Sequence, residues 1–232
     1  MKLPAIKIRP FVILEILLIS TISYFAYNVY QDSIKADRLT REKIEMIKLV
    51  YQLQDSSEDL TKFALSYVST KDERYKDKFN LVAKIRAGKA PKPKNLNAAY
   101  WFLTPENQKK FHPIQPPESL RNRLEKLPFT KEEKIYFSIS EDTSNALILL
   151  EQKAFNLVLQ DKQAEAIAII HSPLYLSTKR KIMTNIDKLT QSVITRINKE
   201  IEELHKERLH SILRLFIAIF LYIMIRATFK FD

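Results

Sequence analysis

A single glycine, Gly88, in a chain of 232 residues narrows the possible folds more than any other feature. Glycine supplies the positive φ of tight hairpin turns and β-bulges, and lets backbone close around phosphate. Dinucleotide fingerprints and phosphate-binding loops use several glycines each, so neither can be built here. A hairpin-rich β architecture is disfavoured for the same reason. The expected fold class is all-α, an antiparallel helical bundle of four-helix type.

Two apolar stretches lie near the ends of the chain. The first, Phe11–Tyr30, reads FVILEILLISTISYFAYNVY and follows a basic leader with Lys2, Lys7 and Arg9. At about 1.5 Å per residue such a helix spans roughly 30 Å, the thickness of a bilayer's hydrocarbon core. Tyr24 and Tyr30 interrupt any small-x-small cleavage signal, so an uncleaved anchor is expected. Glu15 should sit close to the headgroups, because an acid at mid-membrane costs about 2.5–3.5 kcal/mol on insertion scales. The second stretch, Ile212–Ile225, is flanked by Arg214 and Arg226, whose long stems can carry their charges to the interfaces. The expected organisation is a leader over 1–10, a membrane helix over 11–30, a polar helical domain over 31–208, a second membrane helix over 209–228 and a tail over 229–232. Helical bundle flanked by two transmembrane helices is thus the architecture anticipated.

Composition removes several function classes. There is no cysteine, hence no disulfide, thiolate metal site or cysteine nucleophile. The net charge of +11 fits a lysine-rich solvated helical surface and attraction to anionic lipid. Nucleic-acid binding is not expected, because the basic residues are interleaved with acids, as in Lys71-Asp72-Glu73-Arg74. His205 and His210 are five apart, which misses the i, i+4 spacing of a helical metal site; His112 and His171 stand alone. No Ser-His-Asp order or carboxylate cluster stands out. No enzyme activity, metal or cofactor is expected.

Between the apolar stretches the pattern is helical. Met46, Val50, Leu53, Ser57, Leu60, Ala64 and Tyr67 recur at alternating spacings of four and three, a seam suited to packing against other helices. Asp72–Arg86 reads as a shorter helix with Phe79, Leu81, Val82 and Ile85 on its apolar side and Gly88 just beyond its end. Pro91 and Pro93 prevent continuation, and Thr104–Pro117 with four prolines reads as a surface loop. Tyr100, Trp101, Phe102 and Leu103 form an aromatic group that either lines a pocket or plugs the core under the loop. Thr130 and Glu133 make a capping-box start for a helix to about Gln160, with Ile139, Thr143, Ala146, Leu150, Ala154 and Leu157 expected inward. Asn145 and Glu151 lie on or near that side. A short helix over Gln163–His171 and a long final helix from about Leu176, with Ile182, Ile186, Leu189, Val193, Ile197, Ile201 and Leu204 as its seam, complete the domain.

Several of these segments resemble a known family. Asp59-Leu60-Thr61-Lys62, Tyr67-Val68-Ser69-Thr70-Lys71-Asp72-Glu73-Arg74-Tyr75, Gly88-Lys89-Ala90-Pro91-Lys92-Pro93 and Tyr100-Trp101 are similar to the helical extracytoplasmic sensor region of bacterial transmembrane signalling receptors. These are histidine kinases, diguanylate cyclases and chemoreceptor-like proteins. The resemblance covers about residues 55–195, and departs from the pattern at Lys71, Glu73 and Phe102, where the family has glycine, proline and aspartate. It implies a two-pass protein of the bacterial inner membrane, with a periplasmic domain and both termini cytoplasmic. It also implies a sensor or signal-transduction component that converts binding of a small-molecule ligand or of a partner into helix displacement across the inner membrane. A homodimer or a membrane signalling partner would receive the signal. The residues of the family-like motifs, Arg74, Tyr75, Lys89, Tyr100 and Trp101, are the ligand-binding candidates; alternatively they tie the short helix and the proline-rich connection to the bundle. The chain ends at Asp232 without the kinase, cyclase or methyl-accepting domain that usually follows, so an output partner, or a shortened receptor, is expected. Two other readings remain open: a structural or scaffolding subunit of a membrane complex, and a regulator of a separate kinase or cyclase.

Overall fold

The computed structural model describes residues 10–94, 96 and 98–229. The leader residues Lys2, Lys7 and Arg9 and the tail residues Lys230 and Asp232 lie outside the described residues. Helix dominates: α1 Pro10–Thr70, α2 Glu73–Arg86, α3 Pro105–Phe111, α4 Leu120–Glu125, α5 Lys131–Leu159, α6 Gln163–Ile170 and α7 Pro173–Phe229. A 3₁₀ turn covers Ala98–Phe102, and β1 (Lys92–Pro93) pairs antiparallel with β2 (Ile114–Gln115) through two residues each. The protein is all-α apart from this short ladder among the described residues.

The chain forms two compact units, Glu42–Thr195 and the residues on either side of it, up to Arg41 and from Arg196. In the central unit, the expected α1 seam is buried: Met46, Val50, Leu53, Ser57, Leu60, Ala64 and Tyr67 all face inward. Helix α1 ends at Thr70; Lys71 beyond it takes a left-handed conformation (φ 57°), and Asp72 then caps α2 by accepting from the Arg74 N–H. At the next reversal beyond α5, Asp161 is also left-handed (φ 59°), and its carboxylate pairs with Lys71 at 2.9 Å. The end of α2 is a Schellman motif. The Lys89 N–H bonds back to Lys84 O, the Gly88 N–H bonds to Ile85 O, and Gly88 has φ +69°. Glycine is needed there twice over, since a Cβ would come within 2.5 Å of the Ser119 backbone nitrogen. Thus the α2 turn presses directly on the start of α4.

Two boundaries differ from expectation because proline starts helices as readily as it stops them. Pro105 is the first residue of α3, capped by Thr104, inside the stretch read as loop. Pro173 begins α7, three residues ahead of Leu176. Helix α5 does start in the predicted capping box, with Thr130 and Glu133 exchanging both bonds.

The inward face of α5 is rotated by one residue, about 100°, from the expected apolar stripe. Phe137, Ser140, Ser144, Leu147, Glu151, Ala154 and Val158 are buried, whereas Ala146 and Asn145 are exposed; only Ala154 is common to both stripes. Polar residues go inward because neighbouring helices supply their partners. Leu81 likewise lies outward, while Arg86 is buried on α2. Aromatic contacts fix the far end of this core: the Phe155 ring meets Tyr67 edge-on at 4.8 Å and Phe79 at 4.9 Å. Chain directions follow from paired contacts. Helix α7 runs opposite to α5, with Tyr175 against Glu151 and Ser192 against Glu133.

In the other unit, α1 and α7 are each long and apolar enough to cross a membrane. Val12, Ile16, Leu17 and Ile19 on α1, and Leu213, Phe216, Phe220 and Ile223 on α7, are exposed. The Glu15 carboxylate lies 2.8 Å from Arg226 Nε, so the acid and the base near the ends of the two apolar stretches neutralise each other. Polar residues Asn28, Gln31 and Asp32 of α1 line a cleft together with Glu207, His210, Ser211 and Arg214 of α7.

Candidate functional site

The central unit contains a buried polar network that joins four helices. Arg86 of α2, only 4 % exposed, donates through Nη1 to Ser144 Oγ at 2.6 Å and through Nη2 to Glu141 O at 3.2 Å on α5. Ser144 Oγ donates to Ser57 Oγ of α1 at 3.4 Å, and Lys179 Nζ of α7 donates to Ser57 O at 3.1 Å. The Tyr175 hydroxyl of α7 donates to Glu151 Oε1 at 2.7 Å. Arg86 Nε and Glu151 Oε2 have no partner among the described residues, a pattern that interiors complete with ordered water. Burial shifts every ionisable member. Arg86 falls to about 10, Lys179 also falls, and Glu151 rises to about 7 against the pull of Tyr175, Lys179 and Arg86. Of these groups Glu151 alone is brought close to neutral pH, so its protonation is the one by which the network is poised to change.

Beside the network runs a narrow cleft between α1, α2, β1 and α4. Val82, Ile85, Leu96 and Leu120 give it apolar walls, and Gln52, Asp55, Asp59, Arg86, Lys92 and Glu118 supply polar groups. It encloses about 470 Å³ including its open mouth, and its closed part is only wide enough for water. Asp59 closes one side. It accepts from Trp101 Nε1 at 2.6 Å and lies 3.9 Å from Lys62. Burial nonetheless raises its pKa, as it does that of Asp55, where Glu58 and Asp59 add to the effect.

Beyond Lys92 the cleft gives onto an open, polar groove walled by Gly88, Lys92, Pro116, Pro117, Glu118, Ser119, Asn122, Arg123 and Lys126. Lys92 Nζ donates to Gln52 Oε1 at 2.6 Å, and Arg123 Nη1 donates to the same oxygen. Burial, then the charge of Arg123, lowers Lys92 to about 8.

The five residues singled out from the sequence fall into two groups. Tyr75, Tyr100 and Trp101 belong to one aromatic cluster: Phe63 lies 6.5 Å from Tyr75 and 5.2 Å from Trp101, and Tyr100 stands edge-on to both Trp101 and His112. Arg74 and Lys89 lie apart from it. Arg74 is exposed and clamps Asp72 with its guanidinium, and Lys89 is exposed beyond the α2 cap. None of the five walls the narrow cleft; Trp101 reaches it through Asp59. Arg86, Lys92, Gln52 and Arg123 went unnoticed as site residues, because each is a polar residue in a polar stretch with no spacing signal. Glu151 is visible on the helix face in the sequence, but its contact with Tyr175 is not.

Comparison with family models, curated proteins and solved structures returns no match.

Proposed function

We propose that the protein is a membrane-anchored sensor or signal-transduction component. Its central unit forms an antiparallel four-helix-like bundle of α1, α2, α5 and α7 outside the bacterial inner membrane, with both termini in the cytoplasm. One observation carries this reading. The two helices with exposed apolar stretches, α1 and α7, are the same two that contribute Ser57, Tyr175 and Lys179 to the buried polar network. A ligand in the cleft beside that network would bind one arrangement of the helices better than another. That difference in affinity is the free energy available to shift α1 against α7 across the membrane.

The test uses the chain's lack of cysteine. Gln31 and His210 line one cleft between α1 and α7, so a Gln31→Cys, His210→Cys double variant reports their spacing by its rate of disulfide formation in membranes. The rate should change when periplasmic extract or small-molecule pools are added. A rate indifferent to every pool, with stable co-purification of another membrane protein, would favour the scaffolding reading instead.

A further inference from the structure

We propose that Lys92 and Arg123 form a binding subsite for a small oxyanion, the carboxylate or phosphate of the ligand this unit senses. The sensing role is the reading on which this rests; the subsite names the ligand's charge. Lys92 on β1 and Arg123 on α4 converge on one neutral acceptor, the side-chain oxygen of Gln52 on α1. An ammonium and a guanidinium carry far more N–H donors than one amide oxygen accepts. Among the described residues, no carboxylate lies within ion-pair distance of either cation. Glu118 on the groove wall acts on both cations through space but is ion-paired to Lys126 at 2.5 Å, and Glu45 on α1 acts more weakly on Arg123.

Two like charges, both half-buried and sharing one acceptor, are costly when no carboxylate is in direct contact with either. The fold nonetheless enforces their meeting. Gly88 allows the α2 turn to lie against Ser119, which delivers β1 and α4 to the same groove. Arg123 offers the planar fork that suits an oxyanion's paired oxygens, and Lys92 a point charge. The open groove has room for a phosphate, while the narrow side, walled by Val82, Ile85, Leu96 and Leu120, would take the short apolar chain of a carboxylate by parting its walls. Lys92 titrates near 8 in the free protein because of burial and Arg123, so affinity should fall as the pH rises through that value.

The experiment is thermal melting of the full chain in lipid nanodiscs, followed by fluorescence of Trp101, the one tryptophan. Inorganic phosphate and butanoate are added separately at pH 7, with chloride at matched ionic strength as control. At about ten times its Kd an anion should raise Tm by about 3–6 °C over chloride. A response to phosphate alone places the ligand in the open groove, and one to butanoate alone places its body in the cleft. Lys92→Gln or Arg123→Gln should weaken binding at least about tenfold, while Arg123→Lys should retain part of it. Without anion, Lys92→Gln should melt no lower than the parent, since it removes a desolvated, repelled charge. No rise with either anion, or a rise that both glutamine variants keep, overturns the subsite. A rise without any change in the Gln31/His210 cross-linking rate leaves the subsite standing and removes the sensing role.

Discussion

Glu151 gives the core a pH dependence whose size follows from its surroundings. Its carboxyl is 1 % exposed, and burial lifts its pKa from 4.5 to about 7. The folded state therefore holds a proton that the unfolded state releases above pH 4.5. The resulting stabilisation is full below the unfolded value and is lost as pH rises through about 7. Integrated between pH 5 and pH 8, linkage makes the loss about 2.5 kcal/mol. Glu151→Gln keeps the side chain's shape and an oxygen for the Tyr175 hydroxyl, but cannot titrate. The groups facing it, Arg86 from α2 and Tyr175 and Lys179 from α7, are present in both proteins and cancel in the comparison. Melting of parent and variant at both pH values, in nanodiscs with Trp101 as the probe, gives the difference directly. The gap in Tm between the two proteins should change by about 5–10 °C from pH 5 to pH 8, the variant gaining at pH 8. A gap that stays within about 1 °C would mean that Glu151 ionises as freely inside the core as in water, and the description of the network as poised would be wrong.

Three further substitutions follow from the packing. Gly88→Ala should cost more than about 1 kcal/mol, because it forces a side chain into positive φ and against the Ser119 nitrogen; denaturant melts followed by circular dichroism measure it. Trp101→Phe removes the donor to buried Asp59 and should cost about 1–3 kcal/mol by the same method, with Phe63 and Tyr100 still packed around the ring. Lys71→Gly should be neutral or stabilising by up to about 1 kcal/mol. It frees a left-handed backbone position at the expense of one exposed ion pair with Asp161.

Sequence patterns revealed the elements and left their pairing hidden. The α1 seam, the α7 seam, the Thr130 capping box and the Gly88 stop were readable because each is a local rule: spacing, a cap, a backbone angle. The α5 face was misjudged by one residue because apolarity was the only guide. Ser144 and Glu151 turn inward for the sake of Arg86 and Tyr175, and such partnerships between distant segments leave no periodic trace. Pro105 and Pro173 are the first residues of α3 and α7, a use of proline that a loop-like composition hides. The aromatic cluster of Tyr75, Tyr100 and Trp101 was visible as composition. The meeting of Lys92 with Arg123 on Gln52 depends on how β1, α4 and α1 come together, which one sequence does not disclose.

Placement of the central unit across the membrane from both termini is the claim on which the sensing role stands. Single-cysteine variants test it cleanly in a chain with none of its own. Leu149→Cys puts a thiol on the exposed face of α5, and Asp232→Cys puts one at the chain's end. In intact spheroplasts a membrane-impermeant maleimide should label the first and leave the second unlabelled until the cells are lysed. Equal labelling of both before lysis, or labelling of Asp232→Cys alone, would contradict it.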